Sequence, residues 1–260
     1  MNDILSSDLI KEFTKNKTGL IGIGILLTLV MISLITAVTV PIDTFKQWNN
    51  PSNWISNPKT AMPIWVNYFV AEKIPEHVII ENPATISKEG EISVTSHQFE
   101  VEFLSDDFPN GFIYEFTAEY SGSPLLQIHV VRPDQAKILL LSTSLPNSET
   151  KIVHSERIFS TDDTIRKNIQ IQSAAMGFYR EGIPNEDLIF AGNEEKILKG
   201  NYLFLVNLYD VNEHTKIINS KLILGGKVFG IMGTDELRRD IMVGLLWGTP
   251  LALFIGISVA

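Results

Sequence analysis

The side chains that could do chemistry are scattered along this chain of 260 residues, which holds five histidines and no cysteine. The histidines are His77, His97, His129, His154 and His214. None stands at a short spacing from another histidine or a carboxylate that would place metal ligands on one helix face or one hairpin. We therefore predict no metal site. The absence of thiols excludes disulfides and thiolate metal centres.

Pairs of neighbouring acidic residues are the other candidates for acid–base or cation-binding chemistry. They are Asp106–Asp107, Asp162–Asp163 and Glu186–Asp187. Each pair falls in a turn pattern, where acidic side chains usually face solvent or cap a helix, and weak calcium binding is the open alternative. His129 lies in a strand pattern, and we interpret it as a partly buried, hydrogen-bonded residue rather than a catalytic one.

Two common enzymatic motifs are absent from the sequence. There is no G-x-x-x-x-G-K-[ST] loop for ATP and no G-x-S-x-G nucleophile motif. We therefore expect no catalytic residue, no bound cofactor and no enzyme activity, and an anchored hydrolase is the weakest hypothesis. The net charge of -9 argues against nucleic acid as a partner, because phosphate binding needs a clustered basic face.

The most informative motif is GTDELRRD at residues 233–240. Gly233, Thr234 and Asp235 form a turn pattern whose threonine and aspartate side chains can cap a helix. From Ile241 to Ala260 no residue is charged. About 20 apolar residues at about 1.5 Å each match the roughly 30 Å of a hydrocarbon core. The sequence thus predicts an interfacial turn at 228–240 and a transmembrane helix at 241–260.

A second apolar run lies near the other end of the chain. No residue between Lys17 and Asp43 is charged, and the run is too long for the apolar part of a cleavable signal peptide. We predict a retained transmembrane helix at 18–42. Residues 1–17 are predicted to form a cytoplasmic amphipathic segment, with a disordered tail as the alternative.

Basic residues near the helix ends set the expected orientation. Lys11, Lys15 and Lys17 precede the first helix and favour a cytoplasmic N-terminus. Arg238 and Arg239 argue in the opposite direction, but long translocated regions largely escape this rule. We expect a multi-pass protein of the cell membrane that has the lipid bilayer as a partner and an extracytoplasmic central domain.

The region between the two helices divides into two parts. Residues 43–75 are rich in tryptophan, asparagine and proline, which is typical of irregular backbone near lipid headgroups. Packing of this linker on the following domain is the alternative, and an aromatic ligand platform ranks below both. Residues 76–227 contain short runs of alternating apolar side chains separated by turn signals. Their clearest examples are Phe99, Val101 and Phe103, and then Phe112, Tyr114 and Phe116.

One segment of the central region has the pattern of a helix. Thr161 to Tyr179 begins with acidic residues and ends near a glycine, and Ile165, Ile169, Gln172 and Met176 mark its predicted packed face. The predicted fold is therefore an α+β membrane protein. Two transmembrane helices flank a mainly antiparallel β-sandwich-like domain that carries one helix.

The terminal segments resemble the permease subunits of ABC transporters for dipeptides, oligopeptides and nickel. The resemblance rests on G-T-D-x-L-x-R-D at 233–240, on the L-x-x-G-x-x-x-x-L-x-x-G that follows, and on F-x-x-N-x-x-x-x-x-G from Phe13 to Gly22. The W-N-x-P segment at Trp48 is similar to a segment of archaeal members. The family motif usually reads G-T-D-x-L-G-R-D, so Arg238 stands where a glycine is expected. The β-rich centre lies outside the resemblance.

The resemblance implies a permease component of an importer for peptides or related small solutes. Its implied partners are a second permease subunit, cytoplasmic ATPase subunits and an extracytoplasmic substrate-binding protein. It implies a shaped turn at the mouth of the second helix rather than substrate ligands. The residues of that turn are Gly233, Thr234, Asp235, Leu237, Arg239 and Asp240.

Two features leave alternatives open. The family couples to its ATPase through an E-A-A-x-x-x-G loop, which this sequence does not contain, and two helices cannot enclose a translocation path. We therefore expect a truncated permease chain, or one completed by helices from another chain. The alternative function is a membrane-anchored β-sandwich that binds a partner or an envelope component, with the helices serving as tethers.

Overall fold

The computed structural model describes residues 16–81, 83–88, 93–192, 196–210 and 215–259. Most of the amphipathic segment predicted at 1–17, and His214, lie outside these residues. The chain forms two compact units. The helical unit comprises Met1–Ile55 and Asp235–Ala260, and the β unit comprises Ser56–Thr234. The described α-helices are α1 (Lys17–Thr39), α2 (Ile42–Lys46), α3 (Asp163–Met176) and α4 (Ile241–Val259).

The helical unit is built around α1 and α4, which pack against each other. They contain 23 and 19 residues with mean hydropathies of 2.6 and 1.9, so both are long and apolar enough to cross a membrane. The predicted helices at 18–42 and 241–260 are therefore found as helices close to those bounds. Asn16 begins α1, since its Oδ1 accepts hydrogen bonds from the backbone N–H groups of Thr18 and Gly19.

The start of α4 differs from the prediction. We expected Thr234 or Asp235 to cap this helix, but it begins at Ile241. The Oδ1 atom of Asp240 accepts a hydrogen bond of 2.9 Å from the backbone N–H of Met242. Asp240 is therefore the capping residue, because its side chain satisfies a donor that has no partner within the helix.

The described part of the β unit contains antiparallel strands arranged in two sheets. The first sheet has the order β1-β9-β4-β7 and the second β2-β3-β8-β5-β6. The strands are β1 (Val78–Ile80), β2 (Ala84–Lys88), β3 (Ser93–Phe103), β4 (Phe112–Gly122), β5 (Leu125–Val131), β6 (Lys137–Ser144), β7 (Ser148–Phe159), β8 (Gly200–Asp210) and β9 (Lys216–Leu224).

The core lies between the two sheets and follows the period-two pattern of the sequence. Phe99 of β3 meets Tyr114 of β4 with ring centroids 5.9 Å apart, and Phe112 of β4 meets Phe204 of β8 at 5.4 Å. All four residues are buried. Burial of each large apolar side chain contributes about 1.5–3 kcal/mol. The prediction of a sandwich of antiparallel sheets is confirmed.

The predicted helix at Thr161–Tyr179 is confirmed as α3, which packs against β6. Ile165 and Ile169 are buried as predicted, and the side-chain amide of Gln172 bonds both the N–H and the C=O of Leu139. The prediction for Met176 is wrong, since 47% of its surface is exposed. Gly177, with a φ of 83°, ends the helix at this point, so Met176 belongs to its last turn.

The two halves of the predicted linker 43–75 belong to different units. In the helical unit, the Nε1 of Trp54 donates to the carbonyl of Trp48 over 3.1 Å. In the β unit, a 3₁₀ helix covers Ile64–Tyr68, and the Nε1 of Trp65 donates to the carbonyl of Ile231 over 2.9 Å. The second half of the linker therefore packs on the β-rich domain, which was the alternative interpretation.

Candidate functional site

The motif at 233–240 spans the boundary between the two units, so its halves have separate surroundings. Gly233 and Thr234 end the β unit, and Asp235 to Asp240 begin the second segment of the helical unit. The predicted site residues make their contacts within their own unit.

Thr234 fastens the end of the β unit to the linker segment 58–61. Only 4% of this residue is exposed. Its hydroxyl donates to the carbonyl of Pro58 over 2.7 Å and accepts from the N–H of Ala61 over 2.9 Å. Gly233 has a φ of 73°, and a Cβ at this position would lie 2.2 Å from the carbonyl oxygen of Ala61. The motif therefore needs glycine followed by a small hydroxyl residue for a close backbone approach.

Asp235 organises the turn that leads to α4. Its Oδ1 accepts 2.9 Å hydrogen bonds from the backbone N–H groups of Leu237 and Arg239, and its Oδ2 accepts from the Arg239 Nε over 2.7 Å. Partial burial raises the pKa of Asp235, but the hydrogen bonds from Arg239 and Leu237 outweigh it, so the pKa lies below its ordinary value. The carboxylate is the charged centre around which the turn closes.

Arg239 completes this centre through its planar guanidinium. The group lies 4.7 Å from the ring centroid of Trp48, within range of a cation–π interaction, while its Nε bonds Asp235. Leu237 contributes no comparable anchor in the described structure and is 56% exposed. Partial burial raises the pKa of Asp240, the capping residue. This effect outweighs the hydrogen bonds from Met242 and Val243, which lower the pKa.

Arg238 occupies a backbone conformation that favours glycine. Its φ is 65°, in the left-handed region. Because the Cβ of an L-residue crowds the following carbonyl oxygen there, this conformation costs roughly 1–2 kcal/mol. Arg238 therefore adopts a left-handed conformation that glycine adopts at lower cost. The turn itself follows from the hydrogen bonds that Asp235 accepts on either side of Arg238.

The described histidines lie apart, and the described residues contain no cluster of three or more His, Cys, Asp or Glu residues that could hold a metal ion. His129 is partly buried in β5 as predicted, and its buried Nδ1 has no hydrogen-bond partner among the described residues. Burial lowers its pKa, and nearby Lys137 adds to this effect. His154 pairs with Glu156 at 3.3 Å, and the Nδ1 of His77 accepts from Gly226.

A contact that the sequence did not reveal joins the two sheets. The Nδ1 of His97 on β3 lies 2.6 Å from the Oγ of Ser220 on β9, and both residues are buried. Burial lowers the pKa of His97, which favours the neutral imidazole. The two residues are 123 positions apart in sequence, so no local pattern could have indicated the pair.

The acidic turn residues have distinct environments. Asp106 and Asp107 form ion pairs with Lys199 and Lys227. The Oδ2 of Asp162 accepts from the N–H of Phe159 over 3.0 Å. Asp187 lies in the first turn of the 3₁₀ helix Asn185–Phe190 and is partly buried. Burial raises its pKa to about 7, and the neighbouring Glu186 carboxylate adds to the increase.

A polar cleft of about 370 Å³ lies along β7, β4 and β9 and was also not predicted. At its centre the Glu115 carboxylate bonds the Arg157 Nε over 2.5 Å and the Lys221 Nζ over 3.0 Å. Partial burial raises the pKa of Glu115, but both cations outweigh it, so the pKa is lowered. The three charges come from three adjacent strands and compensate one another in part, which fits a structural cross-strand network.

Comparisons with known proteins show no relative in sequence. No family model matches the chain, and no curated protein matches it. Among solved structures, dimeric latent PorU from Porphyromonas gingivalis aligns with a TM-score of 0.29 and 6% identity, over 65% of this chain and 14% of that one.

Two carbohydrate-binding structures align at similar levels. TmCBM61 in complex with β-1,4-galactotriose has a TM-score of 0.23 and 7% identity, over 65% of this chain and 94% of that one. The non-crystalline cellulose specific module CBM28 has a TM-score of 0.25 and 6% identity, over 66% and 98%. These scores carry no conclusion about the function of this chain.

The left-handed turn predicts an unusual preference at position 238. We expect Arg238→Gly to be more stable than Arg238→Ala by about 1 kcal/mol, because glycine relieves the strain that alanine keeps. At Leu237, whose φ is not positive, we expect the alanine variant to be at least as stable as the glycine variant. Thermal unfolding of the four variants of the full chain in detergent measures this. An alanine at 238 as stable as glycine would contradict a left-handed turn.

The raised pKa of the partly buried Asp187 carboxyl predicts a pH-dependent stability. Its folded pKa of about 7 lies above the ordinary value of 3.8, so the protonated form stabilises the fold fully below about pH 4. This contribution is lost as the pH rises through about 7. We expect Asp187→Asn to reduce the fall in unfolding free energy between pH 4 and 7, measured with denaturant. The exposed Glu149→Gln is the control, and an unchanged slope in Asp187→Asn would contradict burial of this carboxyl.

Proposed function

We propose that this protein is a membrane-spanning permease component of an ATP-driven importer for peptides or related small solutes. The observation that carries the proposal is the turn from Asp235 to Asp240. In this turn Asp235 accepts hydrogen bonds from the backbone N–H of Leu237 and from the backbone N–H and Nε of Arg239. Position 238 has the left-handed backbone for which the permease motif supplies glycine.

The details of the motif support this interpretation over a chance match. A helix entrance requires only one capping residue, and Asp240 fills that role. Helix capping then does not need the other four residues that make contacts in the motif, Gly233, Thr234, Asp235 and Arg239. Each of them nevertheless makes a contact that depends on its residue type. Five of the six defined positions of the motif, all except Leu237, make contacts that depend on their residue type, and helix capping alone explains only one of them.

A membrane location is supported by the surfaces that the two units expose. The apolar side chains of α1 and α4 are mostly exposed in the described structure, which water would disfavour and hydrocarbon would not. The β unit adds an aromatic patch formed by Ile64, Trp65, Tyr68, Phe69 and Ile231. Trp65 and Phe69 are in edge-to-face contact at 6.2 Å. Amphipathic rings of this kind suit the headgroup region.

In a permease complex, partner proteins complete the transport path. Two helices cannot enclose a path, so a second permease subunit and further helices surround α1 and α4. Close helix packing is possible at Gly248 and Gly256, where an added Cβ would have no atom within 4 Å. The exposed side chain of Leu237 is also available for contact with a partner helix. ATPase subunits act on the cytoplasmic side, and a substrate-binding protein delivers the solute outside.

A second candidate is a membrane-anchored β-sandwich that binds a partner outside the membrane. The observation that favours it is the size of the β unit, Ser56–Thr234, which has its own core and needs no helix from the other unit to form it. In this alternative α1 and α4 act as tethers. The two candidates differ in whether an ATPase belongs to the complex.

Orientation can be tested directly because the chain has no cysteine. We expect Glu149→Cys, an exposed site on β7, to react with a membrane-impermeant maleimide in intact cells. Lys17→Cys, at the start of α1, should react only after the cells are permeabilised, because the preceding lysines hold that end in the cytoplasm. Labelling of both variants in permeabilised cells is the control. The reverse pattern in intact cells would contradict an extracytoplasmic β unit.

The permease function itself is tested by co-purification. The tagged chain is extracted in mild detergent from membranes of its own host, and the proteins that stay bound are identified and quantified by mass spectrometry. We expect a transport ATPase and a second permease subunit in near-stoichiometric amounts, and neither with an unrelated tagged membrane protein. Recovery of an envelope protein without any ATPase would contradict the permease proposal and favour the alternative.

A further inference from the structure

The edge of β9 is only partly used in the described structure. On one side β9 pairs with β4 from Lys216 to Leu224. On the other side β1 pairs with it at Leu222, Ile223 and Leu224. Among the residues that the structure describes, no strand pairs with this second side over residues 216–221. The backbone N–H and C=O groups that point toward that side are a template for another strand.

A cleft of about 530 Å³ opens beside this free edge. Its walls come from β9 in one sheet and from β2 and β3 in the other, so it lies at an open side of the sandwich. Half of the twelve residues that line it carry hydroxyl or amide groups: Thr85, Ser87, Thr95, Thr215, Asn219 and Ser220. No described aromatic residue lines the cleft, which argues against a sugar that stacks on a ring.

His97 lines the cleft from β3 and is mostly buried. The residue is 7% exposed. Its Nδ1 contacts the Oγ of Ser220 at 2.6 Å, so the imidazole lies beside the part of β9 whose second side is unpaired in the described structure.

The two ends of the free edge carry opposite charges. Glu81 follows Ile80, the residue of β1 that pairs with Leu222, so it lies beyond the last β1 pair. Lys216 lies at the other end of β9. Both residues line the cleft and are exposed. The unpaired side of β9 runs from Lys221, the first residue beyond the last β1 pair, to Lys216. These five residue steps span roughly 17 Å at about 3.4 Å per residue.

A distortion of β9 adds an apolar contact in the same cleft. Asn219 faces Thr117 and Ile217 faces Ala118, so Ile218 is the extra residue of a β-bulge. Its side chain is 52% exposed and lines the cleft. The cleft therefore combines unpaired backbone, hydroxyl groups, the exposed Ile218 side chain and a charge at each end.

We propose that this cleft binds a short peptide of about five residues in extended form, as a strand added to the edge of β9. The peptide continues the line of β1 and runs antiparallel to β9, so its amino group meets Glu81 and its carboxylate meets Lys216. The opposite direction would bring like charges together at both ends. Strand addition suits this site because a peptide backbone offers donors and acceptors at the spacing of the free edge. The proposal does not depend on the permease function.

The first test uses the full chain in detergent and the peptide Thr-Val-Thr-Val-Thr with free ends, carbon-14 labelled for equilibrium dialysis. Two backbone-methylated peptides are compared, one with N-methyl groups at residues 2 and 4 and the other at residues 3 and 5. Only one set of N–H groups faces β9 in an added strand. We expect one methylated peptide to bind more than tenfold weaker and the other to stay within about threefold. Equal affinity of the two methylated peptides would overturn strand addition.

The second test addresses direction and the charged ends. We expect Glu81→Gln and Lys216→Gln each to weaken the free-ended peptide roughly threefold, the scale of one exposed ion pair. Neither variant should affect the acetylated and amidated peptide. Glu100→Gln and Lys137→Gln, exposed charges outside the cleft, are the matched controls. Equal losses with the blocked peptide would overturn the proposed direction.

A second copy of this chain is the competing occupant of the edge. Sedimentation of the wild-type chain across a concentration range, with and without saturating peptide, separates the two occupants. We expect the peptide to bind with no change in oligomeric state. A dimer that excludes the peptide would overturn the proposal and identify the edge as a self-association surface. These outcomes are read independently of the co-purification experiment, so peptide binding and permease function can fail separately.

Discussion

The aromatic packing between the two sheets is the interaction on which the β unit depends. The chain has no cysteine, so no disulfide holds the β unit together. The contacts of Phe99 with Tyr114 and of Phe112 with Phe204 join strands of opposite sheets in the centre of the core. Because these rings fix the separation of the sheets, they also fix the positions of β3 and β9 at the open side.

The separation of the two sheets explains why one side of the sandwich carries a buried polar pair. His97 and Ser220 lie on opposite sheets and bond each other where the aromatic core gives way to the cleft. The pair closes the core with a polar contact, and both residues also line the cleft. A packed core and a binding cleft thus share one boundary, and the same two residues take part in both.

The turn at 233–240 holds an arginine in a backbone conformation that favours glycine. Asp235 accepts backbone hydrogen bonds from Leu237 and Arg239, and these bonds hold Arg238 in a left-handed conformation. Their number and the added guanidinium contact offset the strain of about 1–2 kcal/mol. The backbone geometry at Arg238 is therefore maintained by its neighbours in the turn.

The sequence by itself determined the elements that depend on local pattern. Uncharged apolar runs predicted α1 and α4, alternation at Phe99 and Phe112 predicted strands with one buried face, and acidic residues before an apolar stripe predicted α3. These signals are local because burial repeats at the period of each element. Only the tertiary structure decided which residues distant in sequence meet. It paired His97 with Ser220, partly buried Asp187, placed the helix cap at Asp240 and left part of one side of β9 unpaired among the described residues, because strand order and sheet packing bring these groups together and no local period encodes them.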